Sequence, residues 1–228
     1  MDDTQRLRLI GERAADEVPD GTTIGLGTGS TADAMLTALG ERVRQGLRMT
    51  GVATSARTIA RAREVGIPLT SLDDVTSLSV CIDGADEIDP GLNLIKGRGG
   101  ALLYEKLVAE RAVRLVIIAS AEKLVDRLGM RLPLPVEIVP FGWSHTARRV
   151  ATLGLEPALR LTGDGQPFVT DGGHHILDCA THGIEDPAAL GASLKAITGV
   201  VDHGLFVGMA SLALTIDADG TITEHVRH

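Results

Sequence analysis

The first half of the chain alternates short apolar runs with segments of helical length and periodicity, and that rhythm leaves few architectures open. Apolar runs at 23–26, 50–53, 79–82 and 115–119 read as strands, with helices expected over 5–16, 32–45, 56–66 and 101–112. Strands separated by helices are joined by crossovers, so they align in parallel and take a helical layer on each face. Ligands of such sheets gather outside the carboxyl ends of the strands. Each polar motif of this half begins where one of those strands stops.

After Pro133-Leu134-Pro135 the rhythm changes to strand 136–139, helix 144–153, strands 158–161 and 168–180, helix 187–197 and strand 200–203. That order suggests a small split βαβ, ferredoxin-like lobe. Asp171-Gly172-Gly173 has the composition of a hairpin turn within it, and Phe141 and Trp143 are expected to pack it. Strands at 208–216 and 221–226 would rejoin the first domain. The expected fold class is α/β: a Rossmann-like, mostly parallel sheet flanked by helices, with a smaller α+β lobe. The expected domains are 1–132 with 205–228, which form the catalytic body, and 133–204, which form the lobe.

At 228 residues and 44% hydrophobic content the chain can bury a sizeable core. Its net charge of -8 and 2% aromatic content offer neither a basic footprint nor stacking platforms, so no nucleic-acid partner is expected. An anionic substrate would need a local positive site. No apolar run approaches the roughly 18 residues of a membrane span, and Met1-Asp2-Asp3-Thr4 lacks a basic leader, so we expect no membrane partner and a cytoplasmic location. Cys81 and Cys179 show no metal or redox spacing and read as buried strand residues.

Gly25-Leu26-Gly27-Thr28-Gly29-Ser30-Thr31-Ala32 follows a strand and opens a helix, where backbone amides and hydroxyls can hold a phosphate at the helix's positive end. Gly27, Gly29 and Ala32 also fit a dinucleotide fingerprint, but Val52-Ala53-Thr54-Ser55 lacks the acid that would hold a ribose hydroxyl. No Gly-Lys-Ser/Thr follows, which removes a nucleoside-triphosphatase loop. The acidic turn Asp83-Gly84-Ala85-Asp86-Glu87 departs from calcium-loop spacing and has no histidine near it in sequence, so acid–base work suits it better than metal binding. A solvated acidic turn is its plainer reading. His174 and His175 are adjacent, so on a strand they face opposite ways and do not grip one ion.

Lys96-Gly97-Arg98-Gly99-Gly100 comes next, followed by a helix carrying Glu105. At about 100° per residue, Ala101, Leu102, Tyr104, Val108, Ala109 and Ala112 share one arc, with Lys106 and Glu110 outside it and Glu105 in its middle. A carboxylate there is expected to be desolvated, which raises its pKa and makes it a better base. The alternative is a glutamate at the arc's edge, paired with a neighbour such as Arg98.

In this order, Gly-Thr-Gly-Ser-Thr at 27–31, Asp-Gly-Ala-Asp-Glu at 83–87, Lys-Gly-Arg-Gly-Gly-Ala-Leu at 96–102, Glu105-Lys106 and Pro-Leu-Pro-Val-Glu at 133–137 resemble ribose-5-phosphate isomerase of the A type. The resemblance covers nearly the whole chain. It implies a metal-independent, cofactor-free interconversion of ribose 5-phosphate and ribulose 5-phosphate in the pentose phosphate pathway, by a homodimer or homotetramer. By the same resemblance, Thr28, Gly29, Ser30 and Thr31 bind substrate, as do Asp83, Gly84, Ala85 and Asp86, then Lys96, Gly97, Arg98 and Gly99, and finally Lys123. Glu105 matches the proton acceptor. Near the N-terminus either Arg6 or Arg8 replaces a lysine common in the family.

Chemically, Glu105 would take the C2 proton of the open-chain aldose and return it to C1 through an enediolate. Lys96 would stabilise the oxyanion, and Asp83 would open the ring and move the proton between the two oxygens. Competing readings are a sugar-phosphate-sensing domain without catalysis, a related amino-sugar-phosphate isomerase, or a coenzyme A transferase with a nucleophilic glutamate. A sensor would need no buried base at position 105.

Overall fold

The computed structural model describes residues 1–227. In chain order it contains α1 (Asp3–Ala15), β1 (Thr22–Leu26), α2 (Ser30–Arg44), β2 (Met49–Ala53), α3 (Ala56–Val65), β3 (Cys81–Asp83), β4 (Glu87–Ile88), β5 (Leu94–Ile95), α4 (Leu102–Arg111) and β6 (Leu115–Ser120). There follow β7 (Leu134–Ile138), α5 (Trp143–Ala151), β8 (Glu156–Leu159), β9 (His175–Ala180), α6 (Pro187–Lys195), β10 (Val200–His203), β11 (Leu205–Phe206), β12 (Ala210–Ile216) and β13 (Ile222–Val226). These elements group into two compact units, Met1–Ala85 with Tyr104–Lys123 and Met209–His228, and Asp86–Leu103 with Leu124–Gly208.

The first unit is built on a six-stranded sheet in the order β13-β12-β6-β3-β1-β2. All pairs are parallel except the terminal hairpin of β12 and β13. Ile24, Leu26, Ile82, Val116, Ile118 and Leu214 pack with Met35, Leu36 and Leu39 of α2 and with Ile10 and Ala14 of α1. Helix starts follow from local chemistry. Asp2 and Gln5 form a reciprocal capping box on α1, and the Ser55 hydroxyl accepts the Thr58 amide at the start of α3. Three parallel strands, β1, β3 and β6, therefore end side by side, each delivering a loop to the same edge of the sheet.

In the second unit the order β7-α5-β8-β9-α6-β10 folds into a four-stranded antiparallel sheet arranged β10-β7-β9-β8. This is the expected split βαβ arrangement. Its core includes Leu134, Val136, Ile138, Leu177 and Cys179 with Val150 of α5 and Leu194 of α6. A separate three-stranded sheet, β11-β5-β4, uses strands of two residues each. Cys81 and Cys179 are both buried in strands.

Three expectations need correction. The strand expected over 168–180 is continuous only from His175, because Thr170 donates its amide to the His174 carbonyl and closes a tight turn; before that turn Phe168 makes only an isolated backbone bond, to the Arg160 carbonyl. Phe141 does not pack the lobe: it is 94% exposed, and Trp143 is 38% exposed, since the chain turns into α5 at Gly142 with its first turn facing outward. On α4, Tyr104 is exposed and Lys106 is buried, the reverse of the expected arc. Among the described residues, no helix is long and apolar enough to cross a membrane.

Candidate active site

In the first unit the loop after β1 meets the loop after β3. The Asp83 carboxylate, 1% exposed, accepts the amides of Thr28 at 3.0 Å and Gly84 at 2.7 Å through the same oxygen. Those donors fix the carboxylate's orientation. Gly27 makes the approach possible, since a Cβ there would stand 2.2 Å from that Asp83 oxygen. Gly29 has φ +121, a conformation costly for any residue with a side chain, and it turns the chain into α2. Ser30 and Thr31 thus open a helix of 15 residues, at the end where unshared amides favour an anion.

Below the loop, the Thr28 hydroxyl lies within 2.8–2.9 Å of the hydroxyls of Thr54, Ser55 and Thr58. Thr54 donates to the Leu26 carbonyl and Thr58 to the Gly27 carbonyl. These three residues hold the loop between β1 and α2 from beneath, and they did not emerge from the motifs. Their position offered a signal, because Thr54 and Ser55 directly follow a parallel strand, where site residues collect.

A cavity of about 260 Å³ opens at this edge. Ser30, Thr31, Ala85 and Lys123 line it, as does Arg6 of α1. The choice left open between two arginines is thereby narrowed. Arg6 faces the cavity, where its ion pair with Asp3 holds the guanidinium in its charged form. Arg8 instead lies 3.7 Å from Glu12, in a groove with Asp33 and Glu41.

Glu105, also in the first unit, is 4% exposed. The buried residues of α4 and its approach are Ala101, Leu102, Glu105, Lys106, Val108 and Ala109, so the buried arc is turned relative to the apolar one while Glu105 stays within it.

The remaining predicted positions belong to the second unit. The Asp86 carboxylate accepts the Arg98 amide at 3.0 Å, and the Arg98 and Gly99 side of the loop is exposed. Lys96 is 3% exposed, donates its amide to the Gly204 carbonyl, and sets its ammonium 5.5 Å from the centre of the Phe206 ring. Gly97 has φ +104. Glu87, the last residue of the acidic turn, does a different job: its buried carboxylate accepts the amides of Gly129, Arg131 and Leu132 at 2.6–2.9 Å. Among the described residues, no three His, Cys, Asp or Glu side chains group as a metal ion requires.

The family model for ribose 5-phosphate isomerase A (phosphoriboisomerase A) matches residues 50–220. The chain is 56% identical to ribose-5-phosphate isomerase A of Roseiflexus castenholzii over 97% of this chain and 96% of that one. It is 54% identical to the enzyme of that name from Thermomicrobium roseum, over 92% and 90%. A D-ribose-5-phosphate isomerase solved in complex with phospho-erythronic acid superposes with a TM-score of 0.95 at 34% identity, covering both chains completely. Ribose 5-phosphate isomerase from Plasmodium falciparum superposes at 0.93 with 38% identity, over 97% and 98%. Similarity of this extent leaves one assignment: the chain belongs to the ribose-5-phosphate isomerase A family.

Proposed function

We propose that the chain interconverts ribose 5-phosphate and ribulose 5-phosphate with Glu105 as the single base. A carboxylate buried within a helix face, in the unit that also holds the anion cradle and Asp83, is the observation that carries the reading. Glu105 removes the C2 proton of the open-chain aldose, the electrons pass to the carbonyl oxygen as an enediolate, and the same carboxyl returns the proton to C1. Lys96 is assigned the charge that develops on oxygen. Asp83 is assigned ring opening and the transfer of the hydroxyl proton between O1 and O2.

The phosphate is assigned to the cradle of Gly29, Ser30 and Thr31 with Arg6 and Lys123, and it supplies binding energy remote from the reacting carbons. The relative solved with phospho-erythronic acid supports a site of this polarity, since that ligand carries a phosphate at one end and a carboxylate at the other. Gly84, Ala85 and Asp86 with Gly97, Arg98 and Gly99 are assigned the sugar hydroxyls. No metal has a part in this scheme.

Proton NMR of ribose 5-phosphate with the enzyme in deuterated water containing a chelator tests the assignment. Ribulose 5-phosphate should form with deuterium entering at C1 or C2. Glu105→Gln should lower kcat by on the order of 10²–10⁴-fold with far less effect on KM. Asp83→Asn should slow turnover yet keep C2 exchange on substrate supplied in its open-chain form. Near-normal exchange in Glu105→Gln, with none in Asp83→Asn, would swap the two roles. Loss of turnover on chelation, restored by a divalent ion, would end the metal-free scheme. We further propose a homodimer or homotetramer acting in the cytoplasm, and light scattering that returned a monomer mass would refute that assembly.

A further inference from the structure

Arg160 carries no role in the scheme above, yet its guanidinium makes four hydrogen bonds within the second unit. It lies one residue beyond β8, with its side chain 13% exposed. Its Nε and Nη2 donate to the two oxygens of Asp178 at 2.8 and 2.5 Å, a fork-to-fork pairing. Its Nη1 donates to the carbonyls of both Gly97 and Arg98, each at 3.0 Å. Four bonds from five N–H groups leave the guanidinium little freedom.

The ring of Phe168 lies 5.8 Å from the same guanidinium. That ring is itself held, because the Phe168 amide donates to the Arg160 carbonyl at 2.9 Å and the Phe168 carbonyl lies 3.0 Å from His175 Nδ1. It also fills the space beside Gly100, where a Cβ would come within 2.5 Å of the ring.

The consequence for the Lys96–Gly99 loop follows from peptide geometry. In a trans peptide the C=O and the following N–H point in opposite directions. Two carbonyls turned toward Arg160 therefore turn the amides of Arg98 and Gly99 away from it. The Arg98 amide is satisfied by Asp86 at 3.0 Å, and Gly99 is exposed. Gly97 and Gly100 both have positive φ, so this loop is flexible by composition and needs an external clamp to hold one conformation.

We infer that Arg160, oriented by Asp178, is a positioning residue for the isomerisation: it locks the loop so that the Gly99 amide and the Lys96 side chain meet the sugar in one fixed geometry. The inference rests on the reading of 96–99 as a substrate-binding segment. A charge alone does not suffice, because a lysine at 160 offers a point donor that cannot span both carbonyls and Asp178.

Steady-state kinetics of Arg160→Ala and Arg160→Lys, each alone and combined with Lys96→Gln, test it in the full chain. Each Arg160 variant should lower kcat/KM roughly ten- to a hundredfold, chiefly in kcat, as expected for a misplaced catalytic contact. With Lys96→Gln present, the same change should cost several-fold less than it does alone, because one of the two groups it positions is gone. Asp178→Asn should give an intermediate loss. If Arg160→Ala fails to fold, Arg160→Lys and Asp178→Asn carry the comparison. Equal losses with and without Lys96 would make Arg160 merely structural, and full activity in Arg160→Lys would mean that only its charge matters. Either result overturns the inference. Full activity in Lys96→Gln would instead overturn the reading of the segment, whatever Arg160 does.

Discussion

Arg6 and Arg8 stand two positions apart on α1 and meet different surroundings, which is why residue type alone could not choose between them. Two residues on a helix are separated by about 200°, so the side chains leave on nearly opposite faces. Arg6 lines the cavity with Thr31 and Lys123, and Arg8 lines a groove with Glu12, Asp33 and Glu41. A guanidinium that meets a phosphate makes a charge-assisted bond worth about 1.5–3 kcal/mol. Arg6→Met should therefore raise KM for ribose 5-phosphate by roughly ten- to a hundredfold, and Arg8→Met should leave it within about twofold. Initial rates across a substrate series measure both. Matching rises in the two variants would mean that the helix contributes only diffuse charge. Gly27 shows a different kind of dependence at this scale, because its lack of a side chain is what lets the Asp83 carboxylate reach two amides.

At the scale of elements, what could be read from sequence is what burial imposes over more than one structural period. The strands and helices of the parallel sheet satisfy that condition, and all appear within a few residues of their expected limits. Strands β4, β5 and β11 do not, since two residues hold a single alternation and carry no pattern. The turn at residues 170–174 was legible in Asp171-Gly172-Gly173, but the interruption it makes in the strand expected over 168–180 was not. Its hydrogen bonds run from Thr170 to His174, and the Thr170 hydroxyl and His174 ring reach Glu137, 33 and 37 positions earlier. Helix α4 lies between these cases. The burial of Glu105 was anticipated because the helical period is strict, while the arc was centred wrongly because Tyr104 counts as apolar in composition but sits at 38% exposure. Of the candidate site, the residues carried by local motifs were legible: the cradle, the acidic turn and the Lys96 loop. Thr58 and Arg160 were not, because each acts on a segment about 30 or 60 positions away and nothing nearby in sequence marks them.

For the whole molecule, titration sets the pH window in which the fold is most stable. Arg48 pulls Asp20 down to about 2, and Glu17 is held below its ordinary value because Arg114 and Arg13 outweigh the burial that opposes them. Carboxyls lowered in the folded state add stability above their unfolded values near 4, and lose it as pH falls through the folded ones. The alkaline side depends on Cys179, which is fully buried in the core beneath β9. Burial, with a smaller contribution from the charge of Asp178, pushes its thiol up to about 12. A group whose folded pKa is raised adds stability that is complete below its unfolded value and declines as pH climbs toward the folded one. The unfolded chain releases that proton near pH 8.5, so the decline begins there and runs toward pH 12. Between about pH 8 and 10.5 the wild type should lose on the order of 2 kcal/mol more than Cys179→Ala, which has no thiol to titrate. Urea unfolding of both proteins at several pH values measures the difference in slope, which is independent of the constant cost of the cavity left by the missing sulfur. Parallel curves over that range would show that the Cys179 thiol ionises in the folded protein as readily as in the unfolded chain.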